Sequence, residues 1–173
     1  GETALMKDFI PILLVGIIFS AVNVAQARID TYLKATKIIV KKADRKMMLY
    51  ANDKLLETYN ISLGGNPIGH KIQEGDKKTP EGNYTISYKN AASRFHKSLK
   101  ISYPNNVDLA HAKKLGVSVG GDVMIHGLGK EFSCLGKLHT LYDWTLGCVA
   151  VTNEEIDKIW KMVDVGTSIQ IDP

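Results

Sequence analysis

Two short stretches of this 173-residue chain hold side chains that could act together on an acyl group. One is His126-Gly127, which ends the apolar run GDVMIHG (121–127); the other is Gly147-Cys148, inside DWTLGCVAV (143–151). A thiol attacks an acyl group when a base removes its proton or an imidazolium holds the thiolate, and when donors receive the oxyanion that forms. His126 is the candidate base, and the glycine after it permits close backbone approach. Gly147 has no side chain, so its N–H and that of Cys148 have room to face a substrate carbonyl. Chemistry alone leaves the assignment open, because Gly-Cys before apolar residues is equally good core.

Other readings of the same residues stand beside this one. The chain has two cysteines, and a disulfide from Cys134 to Cys148 in an oxidising compartment would silence the nucleophile. A zinc set of His126, Cys134, His139 and Cys148 is not expected, since none of their intervals is the close Cys-Cys or His-His pair of structural sites. His70 reads as a loop residue, and His96 and His111 as solvated or capping residues. Asp143-Trp144 reads either as packing or as the wall of a substrate groove.

The elements that must position these groups belong to one globular domain. Hydrophobic residues make up 45% and charged residues 23% of the chain, which argues against disorder and against a multi-span membrane protein. The net charge of +4 comes from scattered lysines, with no arginine-rich run or aromatic–basic alternation, so no nucleic-acid partner is expected. Residues 1–27 read as an N-terminal extension and signal peptide. Lys7 precedes the apolar run Phe9 to Val24, and Ala25-Gln26-Ala27 supplies a small-x-small cleavage pattern. Pro11 and Gly16 interrupt that run, which is short of the ~20 apolar residues of a membrane span. Membrane contact is expected only through this segment if it stays uncleaved, and the domain occupies 28–173.

Short β-rich runs fill the first half of that domain: TKIIVKK, KMMLYAN, LLETYNISLGG and NYTISYKN, separated by Gly, Asp and Pro turns. A short helix is predicted over 106–116, stopping at Gly116. A second begins at Thr152, where Glu155 completes a capping box and Ile156, Ile159, Trp160 and Val163 fall on one face. CVAV (148–151) reads as a short strand just before that cap, 128–144 as a long connection, and TSIQI (167–171) as the last strand. The sum is a mostly β fold, a β-rich α+β domain of two packed or curved mixed sheets with a few short peripheral helices.

Four ordered stretches together resemble the L,D-transpeptidase (YkuD-type) catalytic domain: GGNPIGHKIQEGDKKTPEGNYTI (64–86), SRFHKSLKISYPN (93–105), GDVMIHG, and DWTLGCVAVTNEEIDKIW (143–160). The resemblance covers almost all of 28–173 and implies a YkuD-like β-sandwich or curved sheet. It also implies a periplasmic enzyme acting on peptidoglycan stem peptides without metal or organic cofactor. By this resemblance Cys148 is the nucleophile that forms a thioester and releases a terminal D-alanine. An amine on a second stem, or on a wall-anchored lipoprotein, then resolves the thioester. His126 matches the general base and acid, Gly127 offers a carbonyl that orients it, and the Gly147 and Cys148 amides match the oxyanion hole. Tyr103, Asp143, Trp144, Thr145 and Leu146 are the expected substrate contacts.

The chain departs from the family's common Ser/Thr-His-Gly-Cys pattern: Leu146 stands where the second histidine would be, and Ala150 where an Arg or Asn follows. The interval from His126 to Thr145 is also slightly longer than usual. These departures fall where substrate orientation and acceptor choice are set. Two alternatives follow: an L,D-carboxypeptidase or amidase that passes the same thioester to water, and a non-catalytic wall-binding module.

Overall fold

The structure, a computed structural model, describes residues 33–173. The signal-peptide reading of 1–27 lies outside the described residues. Among the described residues no helix is long and apolar enough to cross a membrane.

Eight strands form one sheet: β1 (Lys37–Lys41), β2 (Lys46–Ala51), β3 (Lys54–Asn60), β4 (Gly82–Ser93), β5 (His96–Ile101), β6 (Met124–His126), β7 (Val149–Ala150) and β8 (Ser168–Asp172). Their order is β3-β2-β1-β8-β4-β5-β6-β7. Period-two patterning explains the first half. In β1, Ile38 and Val40 are buried between more exposed neighbours; Ile38 pairs with Leu49 and Ile169, and Val40 with Met47 and Ile171. All six side chains face one core, each apolar residue of this size contributing about 1.5–3 kcal/mol by burial.

β4 joins the two halves. Its start, Gly82–Thr85, pairs with β8, while from Ile86 onward it pairs with β5 through two register shifts that bend the strand. The second half is antiparallel until the parallel pair β6–β7. The sheet then curls back on itself. Ser62, just past β3, exchanges both backbone hydrogen bonds with Ala150 of β7, at 3.1 and 2.9 Å. Thr145 likewise bonds Leu63 and Gly65, at 3.1 and 3.0 Å. The expected sheets are therefore one mixed sheet, curled until its ends meet at this seam.

The helices are short. α1 (Asn106–Leu115) and α3 (Asn153–Met162) both start in capping boxes, Asn105/Asp108 and Thr152/Glu155. α3 buries Ile156 and Ile159 on the sheet, as the sequence predicts, with Trp160 only partly covered. The connection 128–144 is more ordered than its composition suggests. It holds α2 (Gly129–Phe132) and 3-10 turns over Ser133–Leu141.

Candidate active site

The parallel pair β6–β7 brings the two candidate side chains, His126 and Cys148, into one cleft. Ile125 lies opposite Val149 and His126 opposite Ala150, with Ile125 and Val149 both fully buried. Core packing at those two residues thus sets the position of His126 and of Cys148, which immediately precedes β7. Cys148 and His126 line one cleft of about 640 Å³, together with Trp144, Thr145, Leu146 and Gly147.

His126 is only 2% exposed, and its Nδ1 lies 2.6 Å from the Gly127 carbonyl. A carbonyl oxygen only accepts, so Nδ1 carries the hydrogen and the lone pair sits on Nε2. Phe95 stacks on the ring at 4.3 Å between centroids, and Trp144 meets it edge-on at 5.9 Å. Burial drives the imidazole pKa down to about 4 against the pull of the Gly127 carbonyl; His139 and Arg94 push it the same way. Burial also pushes the Cys148 thiol above its ordinary value, opposing a bond from the Met124 backbone and the charges of Lys71 and Arg94. Both shifts favour a neutral thiol and a neutral imidazole over a preformed ion pair.

The turn before Cys148 is pinned by one hydroxyl. Thr145 Oγ1 donates to the Cys148 carbonyl at 2.8 Å and accepts from the Gly147 N–H at 3.1 Å. Gly147 has φ of +132°, and a Cβ there would come within 2.6 Å of the Lys78 carbonyl, so only glycine fits. Beneath the turn lies a buried ion pair. Lys71, 4% exposed, donates to Asp76 at 2.8 Å, and its Nζ sits 4.0 Å from where a Gly147 Cβ would be. Asp76 also accepts from the backbone N–H groups of Ile72, Gln73 and Lys78 at 2.8, 3.0 and 3.0 Å. Burial alone would raise this carboxyl, but Lys71 and the three amides bring its pKa down to about 2.

The sequence model of the L,D-transpeptidase catalytic domain family, YkuD, matches residues 35–171. The chain belongs to this family. It is 32% identical over 132 residues to the putative L,D-transpeptidase YafK of Escherichia coli K12, a match covering 73% of this chain and 46% of that protein. The chain thus spans about half the length of the curated relatives it matches. Among solved structures it is similar to the helical cell shape determining protein Pgp2 of Campylobacter jejuni, with a TM-score of 0.61 and 24% identity over 79% of this chain and 47% of that one. An L,D-transpeptidase of Xylanimonas cellulosilytica aligns over 88% of this chain and 68% of its own, with a TM-score of 0.51 and 13% identity. Both share the fold.

Within this L,D-transpeptidase domain the expected substrate residues divide. Trp144 and Leu146 line the cleft, and Leu146 is 73% exposed. Tyr103 does not: it is buried in the core, donates to the Val119 carbonyl at 3.1 Å, and packs edge-on against Tyr84 and His70. Asp143 is a structural clamp, holding Arg45 at 2.8 Å and the Leu63 N–H at 2.9 Å. Thr145 touches the cleft but serves the turn. The Gly147 amide, expected in the oxyanion hole, is turned onto Thr145 instead. Cys134 and Cys148 are both free thiols, Cys134 exposed on the 3-10 segment.

Sequence reasoning missed three contributors. His139 is buried in the long connection, where its carbonyl accepts from the Ser62 hydroxyl at 2.8 Å and its Nδ1 lies 3.0 Å from the same oxygen. A histidine in a polar segment carries no sign of such burial. Phe95 and Arg94, at the β4–β5 turn, wall the cleft although their type and spacing mark nothing chemical.

Proposed function

We propose that this protein is a cysteine-dependent L,D-transpeptidase acting on peptidoglycan stem peptides in the periplasm. The observation that supports it most is the His126 tautomer: with Nδ1–H held by Gly127, Nε2 is the basic nitrogen in a cleft shared with the Cys148 thiol. In the first half-reaction Nε2 takes the thiol proton as Sγ bonds to the stem carbonyl carbon. The Cys148 amide is the proposed donor to the oxyanion, since the Gly147 amide is engaged by Thr145. Collapse breaks the peptide bond, the imidazolium protonates the departing D-alanine nitrogen, and a thioester remains. An amine from a second stem, or from a wall-anchored lipoprotein, then attacks. His126 accepts its proton and returns it to the sulfur.

A second reading gives the thioester to water, making the protein an L,D-carboxypeptidase or amidase. Leu146 favours it: an apolar, exposed side chain stands at the cleft beside the thiol, offering no hydrogen bond to an incoming amine. Incubation with purified muropeptides separates the readings by product mass. Dimers are expected for transfer; stems shortened by one residue without dimers mean hydrolysis, and unchanged stems defeat both.

A further inference from the structure

The cleft has a charged group, Arg94, that no described residue neutralises. Among the described residues lining it, Arg94 and Asp122 are the charged ones, and Asp122 is already paired with Lys100 at 2.7 Å. Arg94 is exposed, and among the described residues its guanidinium has neither ion pair nor hydrogen bond; it lies over the Phe95 ring at 4.6 Å. The nucleophile's own strand supplies no cation, because Ala150 is fully buried at the seam.

Arg94 is also held in place. It occupies the two-residue turn between β4 and β5, whose strands pair up to Ser93 opposite His96. The turn backbone docks on the segment leaving β6: a Cβ on Gly127 would lie 2.8 Å from the Phe95 carbonyl, and one on Gly129 would lie 2.6 Å from the Arg94 carbonyl. Phe95 then stacks on His126 on one side and carries the guanidinium on the other. A planar cation fixed at the wall of a nucleophile's cleft, with its donors unused, is a receptor for a carboxylate.

We propose that Arg94 binds a carboxylate of the acyl donor and so sets which carbonyl reaches Cys148. This deepens the transpeptidase reading and rests on it. Arg94 touches neither the sulfur nor the reacting carbonyl in this assignment; it orients the donor. Two carboxylates of the same chemistry flank the scissile bond of a stem tetrapeptide and are the candidates: the C-terminal one that leaves with D-alanine and the side-chain one of the diamino acid.

The test uses the whole protein and three synthetic tetrapeptides: the free acid, its C-terminal amide, and the form amidated at the diamino-acid side chain. Arg94→Ala is expected to lower kcat/KM for the free acid about 10- to 100-fold, mostly through KM, as for a lost charge-assisted hydrogen bond. Arg94→Lys should recover only part, because an ammonium lacks the bidentate fork. The amide that is already slow with the unaltered protein and insensitive to Arg94→Ala identifies the carboxylate bound. An equal fall on all three substrates would assign Arg94 a role in supporting Phe95 and overturn the proposal, as would no change on any. Calorimetric binding of the same peptides to Cys148→Ala, with and without Arg94→Ala, reads the carboxylate site independently of turnover. Discrimination between acid and amide there, without turnover by the unaltered protein, would defeat the transpeptidase reading and leave the anion site standing. Equal affinities with and without Arg94 would defeat the site itself.

Discussion

Two titratable pairs flank Gly147, one sharing its cleft and one whose ammonium lies 4.0 Å from where its Cβ would be, and they resolve in opposite ways. Above Gly147, Cys148 and His126 are both pushed toward their neutral forms. Below it, Lys71 and Asp76 form an ion pair, with the carboxyl held at about 2. Each pair joins a buried group, His126 or Lys71, to a partly buried one, Cys148 or Asp76, so exposure alone does not separate them. The separation comes from hydrogen bonds to the charged form. Asp76 collects three amides and an ammonium, whereas the thiol meets the Asp122 carbonyl at a weak 3.6 Å and the imidazole Nδ1 is held by the Gly127 carbonyl alone among the described residues. The pair that moves a proton under the proposed reading is left undersupported, and the pair that holds the floor beneath it is saturated.

The sharpest way to test the upper pair is to delete it. Cys148→Ala is expected to abolish product formation from muropeptides with the thermal unfolding midpoint little changed, and His126→Ala to slow acylation by about 10²–10⁴. Cys134→Ala should leave turnover unaltered, since that thiol is free and on another segment. Next in size, Asp76→Asn should destabilise the fold by about 3–5 kcal/mol in urea unfolding, because it strands a buried ammonium. A loss no larger than that of a surface substitution would erase the contrast between the pairs.

Acid should then dissect them in order. His126 has a folded pKa below its unfolded value of 6.5, so between that pH and about 4 the unfolded chain binds the proton and stability falls as pH is lowered. The fall from this residue amounts to about 3 kcal/mol, and His139, also held down by burial, adds to it. Asp76 stabilises fully above 3.8, and its contribution is lost as pH falls toward about 2. Urea titrations from pH 7 to 2 should show the first window shrink in His126→Phe and the second in Asp76→Asn. The smallest loss of turnover among these site variants is expected at Thr145→Val, which keeps the seam's backbone bonds but frees the Gly147 amide. A kcat reduction of about tenfold is expected, measured with the same muropeptides.

Much of this was legible in sequence because the signals were local. Alternation placed β1 and β2, and Thr152 with Glu155 placed the start of α3. The candidate nucleophile and base could be named because Gly-Cys and His-Gly stand among four ordered stretches that resemble one family, while the two pairs alone left core packing equally open. What escaped depends on contacts distant in sequence. Tyr103 and Asp143 look like polar residues near motifs, and only the fold shows that Val119 and Arg45 occupy them. Thr145 declares a turn role only when its hydroxyl is seen between Gly147 and Cys148. Arg94 reads as one more scattered cation until the β4–β5 turn is folded onto Gly127 and Gly129.

The seam at Ser62 and Ala150 bears on how a peptide can be read at all. Many peptide-binding proteins recruit their ligand as an extra strand, letting main-chain hydrogen bonds supply affinity irrespective of side chains. Here the outer edge of β7 is already paired with Ser62, and Thr145 with Leu63 and Gly65, so no unsatisfied ladder runs beside the thiol. Under the proposed reading the ligand also alternates in chirality and would fit such a ladder poorly. Under that reading, recognition at this cleft comes through the ligand's ends and side chains, and the domain reads functional groups and not backbone.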